Sequence, residues 1–327
     1  MVTMIRSKVI RTILSCFALA AAVPQAAWAQ YPERPIKYIM PAGPGSAPDS
    51  LMRMLLADVS KRLGTPIIIE NRTGGGGLIA MQAIVSAASD GYTIGHGNTQ
   101  TLGINPGLSQ VAMDLSKKVD LIVQVGYTTN ILSVNPNLPV NSVKELVAYA
   151  KAHPGELKFG SAGNGTSGHV GGELFKTMTG TDMIHVPYKS AAPAVADVMA
   201  GHVDLMFDNL ASSLPQVKAG KLKPLGVTSL KRTPLAPNVL TVSEAGVPGY
   251  ETVSWSGLIG PKGLSPEITK KLNEAVNQSL KDPQIVANLH ELGYEIVGGT
   301  AADFAVWSQR EQSKWTAVIR ASGAKTD

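Results

Sequence analysis

The sequence predicts an α/β fold in two lobes, each a parallel-type sheet flanked by helices, with a ligand cleft between them. Three observations carry this expectation. Short apolar runs alternate with amphipathic stretches through most of the chain, the pattern of strands covered by helices on both faces. The 327 residues exceed one typical domain of roughly 150. Two glycine-rich segments, 41–49 and 161–169, each lie between a strand-like run and a helix-like one.

The elements follow in order. Arg6, Lys8 and Arg11 precede an apolar stretch over 13–23, and Ala27-Trp28-Ala29 is a small-x-small cleavage signature. Residues 1–29 therefore read as a signal peptide cleaved near Ala29-Gln30. The stretch is shorter than the roughly 20 residues a membrane span needs, and no later one is longer, so a soluble exported protein is expected. Cys16, the single cysteine, falls in this segment. Ile13-Leu14-Ser15-Cys16 also admits lipoprotein processing, but most of the apolar region follows the cysteine, where a lipid-modified chain would already have begun. Without residues 1–29 no cysteine is left, which excludes disulfides, thiolate metal sites and cysteine catalysis.

Beyond the signal, 36–40, 67–70, 93–97, 121–125, 131–134, 158–160, 183–187, 203–207 and 225–227 read as strands. The segments 49–63, 78–88, 143–152, 169–179, 193–200 and 210–219 read as helices. Ser142 with Glu145 has the form of a capping box. After about residue 260 the alternation stops: 266–281 and 301–321 read as helices with little strand between, Thr300 and Asp303 standing at the N-cap and N3 of the second. If these pack back on the first lobe, that lobe is discontinuous. Lobe 1 is then 30–128 with 250–327, and lobe 2 is 129–249, with crossovers near 126–130 and 249–253.

The chain carries 29 Lys+Arg against 24 Asp+Glu. Removing the three cations of residues 1–29 leaves 26, a net charge of about +2. No basic stripe with interleaved aromatics is present, which argues against nucleic acid, and the mild positive excess suits a small anion.

The two glycine-rich segments carry the chemistry. The first is Pro41-Ala42-Gly43-Pro44-Gly45-Ser46-Ala47-Pro48-Asp49; the second is Ser161-Ala162-Gly163-Asn164-Gly165-Thr166-Ser167-Gly168-His169. In a parallel sheet such loops lie at the carboxyl ends of strands, where ligands bind. The helix that follows offers unpaired N–H groups and a partial positive charge, an anion site that needs no Lys or Arg. Gly163, Gly165 and Gly168 also spell G-x-G-x-x-G. A dinucleotide site would want an acid about 20 residues on, and Tyr188-Lys189 stand there instead. A plain connecting loop remains the competing reading. Gly74 to Gly77 could form a third cradle or simply a tight turn.

An enzyme is not expected. None of His96, His153, His169, His185, His202 and His290 makes a metal-ligand spacing, and no G-x-S-x-G elbow, P-loop or EF-hand spacing occurs. His169 reads as a hydrogen-bonder fixing its loop. Asp208 admits three readings equally: contact with ligand, contact with an ordered water, or a cap on the helix that starts at Leu210. No metal or cofactor is expected.

Together these segments resemble the Bug family, the periplasmic binding components of tripartite tricarboxylate transporters. The resemblance rests on Tyr31-Pro32 with Arg34-Pro35-Ile36, the run from Pro41 to Asp49, and Glu70-Asn71-Arg72. It continues through Asp90-Gly91-Tyr92-Thr93, Asn105-Pro106, the run from Ser161 to His169 and His185-Val186-Pro187-Tyr188-Lys189. Met206-Phe207-Asp208-Asn209 and Gly246-Val247-Pro248-Gly249-Tyr250 complete it. It implies a periplasmic-binding-protein (Venus flytrap) architecture, a location in the periplasm, a small carboxylate as ligand and the membrane subunits of a tripartite transporter as partner. A monomer is expected, and a ligand-sensing component feeding a signalling receptor is the alternative.

By position, the resemblance implies ligand contacts from Gly45, Ser46, Ala47 and Asp49 on one lobe and Ser161, Asn164, Thr166 and Ser167 on the other. Asn98, Thr99 and Asp208 stand in second rank. Ala42 replaces the family's aromatic, Pro48 removes one N–H at a helix start, and Thr73 and Ser190 depart from the usual proline and glycine. These changes point to a pocket retuned for its own ligand. A dicarboxylate is expected, an aromatic one included.

Overall fold

The computed structural model describes residues 31–322. The expected signal peptide, residues 1–29, and its expected cleavage position lie outside the described residues. The described chain begins with β1 (Ile36–Met40), α1 (Ala47–Leu63) and β2 (Ile67–Asn71). A 3₁₀ turn at Gly75–Gly77 leads into α2 (Leu78–Val85) and β3 (Thr93–Asn98). A π-type turn at Thr99–Ile104 leads into α3 (Asn105–Leu108), α4 (Gln110–Ser116) and β4 (Val119–Val134). Next come α5 (Val143–Ala152), β5 (Lys158–Ser161), α6 (Ser167–Thr179), β6 (Ile184–Pro187), α7 (Ala191–Ala200), β7 (Leu205–Asn209), α8 (Leu210–Lys218) and β8 (Lys223–Val227). The chain closes with β9 (Val253–Pro261), α9 (Pro266–Ser279), α10 (Pro283–Glu291), β10 (Tyr294–Ile296) and α11 (Ala301–Ser322).

The expected parallel pairing holds at the two ends of the strand order and fails in its middle. Strands β2, β1 and β3 are parallel neighbours, as are β6, β5 and β7. Between them β9 runs antiparallel to both β3 and β4, and β4 runs antiparallel to β7, β8 and β10. The sheets are therefore mixed. The runs 121–125 and 131–134 form one strand, the 16-residue β4. Its residues up to Thr129 pair with β9, and from Asn130 onward with β7 and β8. Polar Thr128-Thr129-Asn130 reads as a break, but it continues extended because its polar groups are answered. The Asn130 N–H donates to Thr228 Oγ1 at 2.9 Å, and Thr129 Oγ1 bonds Ser229 Oγ at 3.0 Å. Thr228 Oγ1 also donates to the Thr252 carbonyl at 2.6 Å, so three chain passages are tied together where one sheet gives way to the other.

Helix starts follow local chemistry. Ser142 Oγ accepts the Glu145 N–H at 3.1 Å, while the Glu145 carboxylate reaches Asn141 N at 2.7 Å, one residue earlier than a reciprocal box. Thr300 and Asp303 do form the reciprocal box, at 3.1 and 2.9 Å. The α11 helix contributes Phe304 to the core under the first sheet and Trp315, Val318 and Ile319 to the core of the second, so it packs on both. At its centre Glu311, fully buried, accepts the indole N–H groups of Trp255 at 3.2 Å and Trp315 at 3.0 Å and pairs with Lys314. No described helix is long and apolar enough to cross a membrane.

Candidate functional site

Both glycine-rich loops reach one cavity of about 440 Å³, within the roughly 300–1,000 Å³ range of small-molecule sites. Ala47 and Pro48, at the start of α1, contribute to one wall, and Thr166 and Ser167, at the start of α6, to another. Helix α6 has 13 residues, and Thr166 caps it by accepting the His169 N–H. The loop before it is built tightly. Gly163 and Gly165 take φ of 122° and 73°, which side chains disfavour. A Cβ on Gly168 would clash with the Phe207 carbonyl. The G-x-G-x-x-G pattern is thus accounted for by two turns and one close approach to β7. His169 Nδ1 accepts the Gly165 N–H at 3.0 Å, and its ring stacks on His185 at 4.0 Å. Burial and the neighbouring His169 and Lys176 push the His185 imidazole down to about 3.

The floor of the cavity is a sheet face that comes from distant parts of the chain. Asn98 of β3 stands opposite Ser256 of β9; Thr128 of β4 stands opposite Ser254 of β9 on one side and Tyr294 of β10 on the other. All five line the cavity, as does His96, two residues back along β3 on the same face. Gly126 lets Tyr294 lie flat there, because a Cβ at Gly126 would meet the Tyr294 ring at 2.6 Å. The Tyr294 phenol bonds the Ser256 hydroxyl. His96 is 2% exposed, and its Nδ1 lies 2.8 Å from the Tyr38 hydroxyl. Burial pushes its imidazole down to about 4, so it is neutral at pH 7. The lining contains no Lys or Arg, and one acid, Glu291, from the end of α10.

The sequence-derived candidates divide. Ala47, Asn98, Thr99, Thr166 and Ser167 line this cavity. Asn164 lines an adjoining one of about 380 Å³ with Gly75, Gly76 and Asn105, and Gln100 borders both. Gly45, Ser46, Asp49, Ser161 and Asp208 line neither. Asp49 is fully buried and accepts from Arg53 at 2.8 Å, Asn71 at 2.8 Å and the Gly45 N–H at 2.8 Å. The Arg53 hydrogen bond, with Asn71 and Gly45, lowers its carboxyl to about 2. Ser46 Oγ donates to the Gly43 carbonyl at 2.8 Å, and Ser161 Oγ bonds His185 Nε2 at 2.7 Å. Asp208 accepts from Ser212 and Ser213, and the cap of α8 is Asn209. These residues shape the loops from behind. Thr99 touches the cavity, but its hydroxyl is engaged by β9, accepting the Trp255 N–H at 2.8 Å.

His96, Thr128, Ser254, Trp255, Ser256 and Tyr294 were not singled out from sequence. For His96 a signal existed: it shares strand parity with Asn98. For the β9 and β10 residues there was none, since the β3 and β4 strands they pair with on the floor lie more than 100 residues away. Among the described residues no cluster of acids, histidines or cysteines could hold a metal.

Three comparisons bear on this geometry. The family model described as "Tripartite tricarboxylate transporter family receptor" matches residues 51–324. The chain is 33% identical to the protein BugT of Bordetella pertussis over 298 residues, 90% of this chain and 91% of that one. Among solved structures it is similar to R. palustris Rpa4515 with adipate, at 36% identity and a TM-score of 0.78, covering 90% of this chain and 99% of that one. It is also similar to MatC from Rhodopseudomonas palustris with bound malate, at 29% identity and a TM-score of 0.74, covering 88% and 100%.

Proposed function

The chain belongs to the family of tripartite tricarboxylate transporter receptors, and we propose that it captures a small dicarboxylate in the cavity and hands it to the membrane subunits of such a transporter. The observation that carries the reading is the convergence of the starts of α1 and α6 on one cavity that has no lysine or arginine in its lining. Helix-terminal N–H groups and hydroxyls supply a neutral cradle for an anion. Among the described residues no group engages the N–H groups of Ser167 and Gly168 at the start of α6, and Ser167 lines the cavity, which leaves this helix start for a carboxylate. Adipate and malate in the two related structures are dicarboxylates. In this reading residues 1–29 direct export to the periplasm, no bond is made or broken, and ligand favours a closed arrangement of two lobes about the passages at Thr129, Thr228 and Thr252.

Calorimetric titration of residues 30–327 with aliphatic and aromatic mono-, di- and tricarboxylates tests it. A dicarboxylate should give a saturable signal, weakened at least about fivefold by Thr166→Ala, which removes a cap worth about 1 kcal/mol as well as a lining hydroxyl. Silence across the panel, with the protein folded, would refute the reading.

A further inference from the structure

The cavity floor contains donors that no protein group uses. Tyr38 is fully buried, and His96 is its one hydrogen-bond partner. If His96 Nδ1 carried the proton, the Tyr38 O–H would be left in a dry interior with no acceptor, at the full desolvation cost. The O–H therefore donates to Nδ1, and the hydrogen of the neutral ring sits on Nε2. Among the described residues Nε2 has no partner, and it is not sealed from solvent although the side chain as a whole is 2% exposed. That remaining exposure faces the cavity.

Two further donors lie beside it. Asn98 Oδ1 accepts from the Thr101 N–H at 2.9 Å and from Thr101 Oγ1 at 3.0 Å, which fixes the amide orientation and leaves its NH₂ unused. In the Ser256–Tyr294 pair one hydroxyl must donate to the other, so one O–H is always left over. Ser256 is directly opposite Asn98 and diagonal to His96, and the Tyr294 phenol is close enough to Tyr38 to disfavour its ionisation. His96 Nε2 and the Asn98 amide present donors, the hydroxyl pair adds one more, and none of these groups is cationic.

We propose that His96, Asn98 and the Ser256–Tyr294 pair form a second binding station, on the sheet face, which holds the far carboxylate of a dicarboxylate whose near carboxylate lies at the start of α6. This rests on the carboxylate reading above and deepens it. A carboxylate is an acceptor with about four lone-pair positions, and two or three neutral donors suffice to keep it ionised. Its burial there is matched to donors fixed in advance by Tyr38 and Thr101. A ligand with one carboxylate and an apolar far end would instead leave these donors unanswered.

The test uses residues 30–327 and calorimetry with succinate, adipate, suberate and terephthalate, each beside the monocarboxylate of equal carbon count: butyrate, hexanoate, octanoate and p-toluate. At least one dicarboxylate should bind the wild type at least about tenfold more tightly than its partner, and His96→Leu should abolish that preference. His96→Gln, which keeps an N–H donor, should restore part of it. Should His96→Leu fail to fold, the Ser256→Ala, Tyr294→Phe double variant takes the same ratio. A ratio unchanged in a folded variant, or equal affinity for both members of every pair in the wild type, overturns the second station and leaves carboxylate capture standing. Absence of binding by all eight compounds overturns both.

Discussion

The Glu311 carboxylate gives the sharpest energetic prediction. It is fully buried in α11 and accepts both the Trp255 and the Trp315 indole N–H. Trp255 belongs to β9 and lines the cavity, while Trp315 belongs to the core of the second sheet. Glu311→Ala orphans two buried N–H donors, each at about 1–3 kcal/mol, and releases the Lys314 ammonium. Lys314 keeps the Glu251 carbonyl as an acceptor at 3.3 Å, so its release adds little. The expected destabilisation is about 2–6 kcal/mol, a large part of a total of about 5–15 kcal/mol. Glu311→Gln keeps a carbonyl oxygen with two lone pairs for the two indoles and should cost about 1 kcal/mol. Urea unfolding followed by tryptophan fluorescence reads both, as a lower midpoint at constant slope. A loss under about 1 kcal/mol in Glu311→Ala, or equal losses in the two variants, would refute the argument that indole satisfaction is what the carboxylate provides.

Three further outcomes are expected. Gly168→Ala drives a methyl group into the Phe207 carbonyl; it should destabilise by about 1–3 kcal/mol and weaken ligand binding, because Thr166 and Ser167 move with the helix start. His96 has a folded-state value of about 4 against 6.5 for the free side chain, so the unfolded chain takes up the proton first. Its contribution is intact above pH 6.5 and is lost as pH falls towards 4; by pH 5 the loss is about 2 kcal/mol, and thermal melts should show it in the wild type and not in His96→Gln. Asp49→Asn loses the anion that holds Arg53, Asn71 and the Gly45 N–H. Arg53 is half exposed, which limits the effect to about 1–2 kcal/mol in urea melts, and this contribution in the wild type should fade only as pH falls from 3.8 towards 2.

What was legible in the sequence is what local chemistry determines. The helix at Val143–Ala152 begins at its Ser142 cap, and the two glycine-rich loops stand before α1 and α6 as their spacing indicates. What escaped was set by partners far away in the chain. Strand β9 alternates Ser and Gly with apolar residues and looks like a connection; it is a strand because β3 and β4 flank it. The polar run at Thr128–Asn130 looks like a break until Thr228 and Ser229 supply its hydrogen bonds. Strand β10, three residues long, is too short to announce itself. Among site residues, Asp49 and Asp208 show the limit most clearly. An acid at a helix start has the same appearance whether it meets a ligand or a neighbouring side chain, and Arg53, Asn71, Ser212 and Ser213 decide the matter only in three dimensions.

The placement of β9 has a consequence for biogenesis. Because this strand separates β3 from β4, the emerging polypeptide cannot complete its first sheet until residue 261 has been made. Until then β3 and the first half of β4 each expose an unpaired edge, and His96 has no Ser256 beside it. Such a long-range closure is slow to form, so the chain stays open until late in its synthesis. A fragment ending before Val253 would accordingly be an aggregation-prone piece with two bare edges, not a smaller receptor.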